Sequence, residues 1–388
     1  MKKTKIGIIG SGTIAETYLQ TLEDKFDNVE IVACSDLVME KAQSLADDFG
    51  IRACTNEELL SDPEIEIVIN AMTPQAHTSV NLAILEAGKH IYCEKPLALN
   101  LEEAKMIVEK AKSLGLCICG APDHFMSAPV QAARRFIDQG KLGNVIHVVA
   151  NIAQPGPECW HPSPAFYYKE GGGPVLDLGP YYMGALISIL GPVKKVFCVN
   201  RKTYEERTIT SAQYYGTVMK VEVPTFYQCI IEFACGAVCS LLASFDTWLS
   251  TGVDIEIHGT KASMLLPNPG FWGGKPRVLT KEDYARVWNE VGFLPHLVDS
   301  QKRYDFFTPL DLPAGSSPLE QRGWGVADMA SAIEHGRPAR TNADFVLHCL
   351  ELFLGIDESG KTGLPYEMTT TCERPAPIPE DLPAGETD

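Results

Sequence analysis

The sequence predicts an α/β Rossmann domain, a doubly wound parallel sheet, followed by a C-terminal α+β domain built on a large, mostly antiparallel sheet. Three observations carry this. Through the first ~120 residues, short apolar runs alternate with stretches of helical apolar spacing. A glycine turn, Gly10-Ser11-Gly12-Thr13-Ile14-Ala15, joins the first run to the first helical stretch. Beyond residue 122 the rhythm changes to successive strand-like runs separated by turn residues. A chain of 388 residues also exceeds one ordinary core. The expected division is 1–122, 123–372 and a proline-rich acidic tail over 373–388.

Taken in order, the runs Lys5–Gly10, Glu30–Ser35, Ile65–Ala71, His90–Glu94 and Leu116–Gly120 predict strands. Helical spacing fills Ile14–Leu22, Val38–Phe49, Thr78–Ala87 and Leu101–Leu114, and a short extra strand is expected at Arg52–Thr55. Gly50, Gly88 and Gly115 each stand just past a helix, where a left-handed cap belongs. A helix over Pro129–Asp138 opens the second part. Strands are expected at Val145–Ala153, Lys194–Asn200, Thr217–Val221, Thr225–Phe233, Ala237–Phe245, Val253–His258 and Ala262–Leu266. Helices follow at Pro318–His335 and Asp344–Ser359, and the tail either wraps the surface or stays disordered.

Composition narrows the function. Apolar residues make up 45% and charged residues 21%, as in ordinary globular proteins. A net charge of −17 without a basic cluster opposes nucleic acid and anionic lipid, so neither is expected as a partner. No apolar run approaches the ~20 residues that span a bilayer. The opening stretch Ile6–Ile9 runs into the glycine turn rather than a cleavage site, so a cytoplasmic location is expected. The 12 cysteines show neither C-x-x-C pairs nor zinc spacing, and no metal is expected. Cys34, Cys93, Cys117, Cys119, Cys229 and Cys239 read as buried small hydrophobes.

The glycine turn points to a dinucleotide. Gly10 permits the tight turn, Gly12 lets backbone approach a pyrophosphate, and Ala15 lets the helix sit close to the sheet. The N–H groups of Thr13 and Ile14 then face the anion. The second strand ends at Asp36, spaced from Gly12 as an acid that binds the adenosine ribose. Its carboxylate repels a 2′-phosphate and no arginine follows, which favours NAD over NADP. Asp36 is also placed to cap the helix from Val38. The third strand breaks at Thr73-Pro74, where a rigid ring can support a flat one, and His77 follows as a ligand contact or a first-turn residue. The apolar run Ile91-Tyr92-Cys93 ends in Glu94-Lys95-Pro96, again at a strand's carboxyl end.

These segments, together with "LEAGKHIYCEKPLA" (Leu85 to Ala98) and "GGGPVLDLGPYY" (Gly171 to Tyr182), resemble the glucose-fructose oxidoreductase/inositol dehydrogenase/rhizopine catabolism (Gfo/Idh/MocA) family from the N-terminus to about residue 360. The resemblance implies that 1–122 binds NAD and that 123–372 binds substrate and oligomerises. It also implies NAD(P)-dependent hydride transfer at hydroxyls of sugars or polyols, and homodimers or homotetramers formed through the C-terminal sheet. By the same resemblance Lys95 contacts the reacting hydroxyl and the nicotinamide ribose. The family's second element, Asp-x-x-x-His-x-x-Asp, reads here Asp177, Tyr181 and Gly184, so the usual histidine acid/base is a tyrosine.

The chemistry needs a cation at the developing alkoxide and a proton acceptor. Lys95 is the expected cation. Tyr181 is the expected acceptor if that charge favours its phenolate. Asp177 orients Lys95 or binds substrate hydroxyls. The alternative for Tyr181 and Tyr182 is a core aromatic pair on their helix. Glu94 is assigned to the cofactor side, or pairs with a neighbouring group and fixes the turn. Trp160, His161 and Tyr168 in "ECWHPSPAFYYKEGGGP", with Asp123 and His124, are expected at the substrate, and Trp272 at a pocket edge or in a turn. Two other functions fit the same residues: a glycoside-processing enzyme that retains NAD and oxidises a hydroxyl transiently, and a non-catalytic nucleotide sensor.

Overall fold

The computed structural model describes residues 3–292, 294–312, 322–383 and 386–388. It divides into two compact units, one of Met1–Met126, Ala314–Leu354 and Thr370–Asp388, the other of Ser127–Pro313 and Gly355–Thr369.

In the first unit, β1 (Thr4–Ile9), α1 (Thr13–Lys25), β2 (Val29–Ser35), α2 (Met39–Phe49), β3 (Arg52–Ala53), α3 (Asn56–Ser61), β4 (Ile67–Asn70), α4 (Pro74–Glu86), β5 (His90–Cys93), α5 (Leu101–Leu114) and β6 (Ile118–Gly120) alternate, all but α3 as expected. The strands form a six-stranded sheet of order β3-β2-β1-β4-β5-β6, and its pairings are parallel. All of β4 and all but the first residue of β5 are buried, which is why their apolar runs are unbroken. Gly50 and Gly115 cap α2 and α5 in the left-handed conformation. The unpredicted α3 is held by a capping box between Thr55 and Glu58 and is too short to show periodicity.

The second unit holds α6 (Ala128–Asp138), β7 (Val145–Ala153), α7 (Pro174–Leu190), β8 (Val193–Arg201), β9 (Glu206–Thr208), β10 (Val218–Lys220), β11 (Phe226–Phe233), β12 (Val238–Ser244), β13 (Ile255–Gly259), β14 (Ala262–Leu266), β15 (Arg277–Thr280), α8 (Lys281–Val291), α9 (Ser300–Tyr304) and β16 (Thr308–Pro309). After α10 (Trp324–His335) and α11 (Ala343–Thr362), β17 (Tyr366–Glu367) completes a nine-stranded sheet of order β16-β15-β14-β13-β7-β12-β11-β8-β17. Its pairings are antiparallel except β7 with β12. One face buries Cys198, Cys229, Leu241, Ala150 and Ile255, and α7 packs on β7, β11 and β12. The other face presents Val199 and Ile230, each 56% exposed.

Some expectations change. The strand expected at Thr217–Val221 stands outside the large sheet, because β10 pairs only with β9 in a small ribbon. The helix expected over Pro318–His335 is α10 from Trp324; Pro318 to Gln321 lie outside the described residues. The tail packs on the first unit, where Arg340 donates to the Ala376 and Pro377 carbonyls, each at 3.0 Å. All 12 cysteines are free, and Cys117 is exposed rather than buried. Among the described residues no helix is long and apolar enough to cross a membrane, and no cluster is suited to a metal.

Candidate functional site

The carboxyl ends of β2, β1, β4 and β5 lie side by side in the parallel sheet, so the segments that follow them share one edge. Gly10 has a φ of +104°, and a Cβ on it would stand 2.7 Å from the Ala71 carbonyl oxygen, so the turn requires glycine. At Gly12 an added Cβ meets nothing within 4 Å. Helix α1 starts at Thr13 with no side-chain cap, so its first N–H groups and the open space before them fit a pyrophosphate. Thr13 is exposed and Ile14 half-buried. The Asp36 carboxylate accepts the Ser11 N–H at 2.9 Å and the Val38 N–H at 2.9 Å. It thereby ties the glycine turn to the end of β2; the expected cap is not made, because the α2 N-cap is Val38 and its helix carries no side-chain cap. Each oxygen keeps a further lone pair for a hydroxyl.

Past β4, Thr73 is the exposed N-cap of α4 and Pro74 its half-buried first residue. His77 departs from the expected cofactor contact: the residue is fully buried, with Nε2 2.9 Å from the Met72 oxygen and Nδ1 2.5 Å from the Pro96 oxygen. Past β5, Lys95 and Pro96 are half-buried and their peptide bond is cis. Glu94 is buried, accepts the Tyr18 hydroxyl at 2.8 Å and pairs with Arg322 at 3.4 Å. Its carboxylate also accepts the Lys95 N–H at 3.2 Å. Glu94 therefore anchors the backbone that carries Lys95 instead of facing a ligand. Arg322 carries no sequence signal, because 228 residues separate it from Glu94.

Asp123 and His124 follow β6, and each is 1% exposed. Asp123 accepts the Gly323 and Gly325 N–H groups at 2.9 and 2.8 Å, holding the start of α10. Burial pushes its carboxyl up to about 6, against the pull of those N–H groups and Arg322. Burial, with the charges of Arg322 and Lys95, holds His124 well below the usual histidine range, so its ring is neutral. Both residues are buried, Asp123 on the start of α10, and neither lies on the open surface expected for a substrate contact.

In the second unit, Asp177 and Tyr181 stand one turn apart on α7 and are half-buried, while Tyr182 is buried and donates to Asp254 at 3.0 Å. The pair therefore divides: Tyr182 is core, and Tyr181 lies on the face shared with Asp177. The glycine run before α7 is needed for packing, since a Cβ on Gly172 would stand 2.4 Å from the Tyr167 oxygen. Trp160 is 59% exposed. The ring of His161 sits edge-on to Trp160, Phe166 and Tyr167 at centroid distances of 5.4, 5.4 and 5.2 Å. Its Nδ1 accepts the Ser163 N–H at 3.0 Å, so in the neutral ring Nε2 carries the proton. Burial lowers its pKa, while the Ser163 N–H and the Asp177 charge oppose that shift.

Tyr168 corrects the expectation. It is fully buried and donates to Glu158, which pairs with Arg207 at 2.6 Å; Arg207 also pairs with Asp246. This network fixes the base of the aromatic loop. Trp272 is buried as well.

Residues 4–120 match a family described as "Oxidoreductase family, NAD-binding Rossmann fold", and residues 130–265 match the "GFO/IDH/MocA C-terminal domain". The chain is 28% identical to 1,5-anhydro-D-fructose reductase of Ensifer adhaerens over 94% of this chain and 98% of that protein. It is 30% identical to trans-1,2-dihydrobenzene-1,2-diol dehydrogenase of Bos taurus over 68% of this chain and 74% of that protein. An inositol 2-dehydrogenase/D-chiro-inositol 3-dehydrogenase of Lactiplantibacillus plantarum is 37% identical, but the match spans 36% of this chain and 41% of that protein. Levoglucosan dehydrogenase, solved with NADH and L-sorbose, shares the fold with a TM-score of 0.76 at 21% identity, over 95% of this chain and 100% of that one.

Proposed function

Because the chain belongs to the Gfo/Idh/MocA family and is an NAD(P)-dependent oxidoreductase acting on CH–OH groups, we propose that it moves hydride between a secondary hydroxyl of a sugar, polyol or glycoside and the nicotinamide of NAD. Lys95, Asp177 and Tyr181 carry the chemistry. The supporting observation is Lys95 at the carboxyl end of β5, on backbone anchored by the buried Glu94–Arg322 pair and beside the Thr73-Pro74 segment.

The bound dinucleotide supplies the hydride acceptor. The glycine turn and the start of α1 hold its pyrophosphate, and Asp36 takes the ribose hydroxyls. With its carboxylate facing a 2′-phosphate, Asp36 selects NAD over NADP. Lys95 stabilises the alkoxide as the proton leaves. Tyr181 relays that proton, passing its own on as it receives the substrate's, or takes it where the Lys95 charge favours its phenolate, and Asp177 orients the substrate hydroxyls. His161 is a donor rather than the base, because its Nδ1 is occupied by Ser163 and its Nε2 presents a hydrogen. Trp160 gives an apolar face to the sugar ring. The first unit takes the cofactor role expected of 1–122 and the second the substrate role expected of 123–372, with Ala314–Leu354 and Thr370–Asp388 belonging to the first unit instead. The exposed sheet face with Val199 and Ile230 joins two copies into a homodimer, the unit from which a tetramer would be built.

A panel of sugars, inositols and glycosides assayed for NADH formation tests this reading, paired with nucleotide content of the denatured protein. NADH formation with at least one polyhydroxy substrate is expected. Tightly retained NAD without net NADH points to transient oxidation, and binding without turnover points to a sensor.

A further inference from the structure

His77 stands in the first turn of α4 and is fully buried, with each ring nitrogen close to a backbone carbonyl oxygen. Nε2 lies 2.9 Å from the Met72 oxygen and Nδ1 lies 2.5 Å from the Pro96 oxygen. A carbonyl oxygen only accepts, so both ring nitrogens donate. Neutral imidazole has one N–H; only the imidazolium has two. The surroundings agree with the cation. Burial alone disfavours it, but the Cys93 sulfur and the two carbonyls outweigh burial and raise the ring to about 9.

Cys93 on β5 is the titratable group acting on this ring. Its sulfur lies 3.1 Å from the Glu94 backbone carbonyl oxygen and accepts from Asn81 at 3.3 Å. Asn81 also donates to the Leu97 oxygen at 3.3 Å and accepts from Asn70 at 2.9 Å. The ring thus sits in a polar network buried between the ends of two neighbouring strands. One of its carbonyls immediately precedes Thr73. The other closely follows Lys95.

We propose that His77 is a positioning residue for hydride transfer, a buried cationic clamp that holds the Thr73-Pro74 and Lys95-Pro96 segments in one fixed arrangement. The proposal rests on the reading of Lys95 as the group at the reacting hydroxyl. Without the second N–H one carbonyl is left unpaired inside the protein, and the segment it belongs to shifts. A misplacement of about 1 Å at a reacting group is enough to cost on the order of 100-fold in rate.

Two measurements test the clamp. Nitrogen-15 spectra of the histidine rings in the nucleotide-free protein report the charge directly. Both His77 nitrogens are expected to carry protons at pH 7.5, with loss of one near pH 9. A singly protonated ring at pH 7.5 overturns the proposal, whether or not any substrate is known. The second is a cycle of His77→Gln, Lys95→Met and the double variant, followed by single-turnover hydride transfer. His77→Gln is expected to lower the rate at least about tenfold with NAD affinity changed less than about threefold, and to add nothing in the Lys95→Met background. Fully additive losses overturn it. If His77→Gln fails to fold, the ring spectra still decide. A doubly protonated ring in a protein that oxidises no polyol leaves the clamp standing and removes the reading of Lys95.

Discussion

Asp36 and Gly10 show how a single residue constrains the cofactor. Asp36 holds Ser11 and Val38 and still has lone pairs to offer a ribose. Asp36→Ser removes the charge that repels a 2′-phosphate. The ratio of kcat/KM with NAD to that with NADP is expected to fall at least about tenfold, equivalent to ~1.4 kcal/mol. Steady-state kinetics with both nucleotides check this, and an unchanged ratio refutes it. Both residues are legible in the sequence, because a tight turn and a ribose acid need particular residue types at particular spacing. Glu94 as a group that fixes the turn and His77 as a first-turn residue are legible, but not what they hold. Their partners, Arg322 and the Met72 and Pro96 carbonyls, are set by tertiary contact. Tyr168 and Asp123 are polar-tipped residues beside the expected site, yet both are spent on buried hydrogen bonds.

At the scale of elements, the start of α10 depends on a buried acid. The Asp123 carboxyl is raised from 3.8 to about 6. Its proton therefore binds more tightly in the folded state. The stability this confers is fully present below the unfolded value, near pH 4, and is lost as pH rises through about 6. Asp123→Asn should flatten that part of the stability–pH curve by up to about 3 kcal/mol. Urea unfolding of both proteins at pH 4.5 and 7 checks this, and parallel curves contradict it. The alternation of strands and helices in the first unit is legible because parallel strands buried on both faces give unbroken apolar runs. The elements α3, β9 and β17 are not, since six, three and two residues are too few to establish a period. Helix α8 announces itself only through a capping box of Thr280 and Asp283.

At the scale of the whole molecule, the chain returns to its first unit late, through Ala314–Leu354 and Thr370–Asp388. No compositional boundary marks that return, so a division of the sequence into consecutive blocks misses it. The alternation in β8 and β11 does mark a sheet with one buried face. With Val199 and Ile230 exposed on the other, sedimentation equilibrium is expected to find a dimer or a multiple of it. The double variant Val199→Glu/Ile230→Glu should shift that equilibrium to monomer, because like charges would face each other across a two-fold contact. A wild-type monomer at micromolar concentration contradicts the interface.

The most direct measurement of the central claim is hydride transfer by Lys95→Met beside the wild type, using a polyol deuterated at the reacting carbon. The account predicts deuterium at nicotinamide C4 in the wild type. In the variant it predicts kcat/KM lower by on the order of 100- to 1,000-fold, with NAD still bound. Undiminished transfer in Lys95→Met, or no label on the nicotinamide in the wild type, would contradict it.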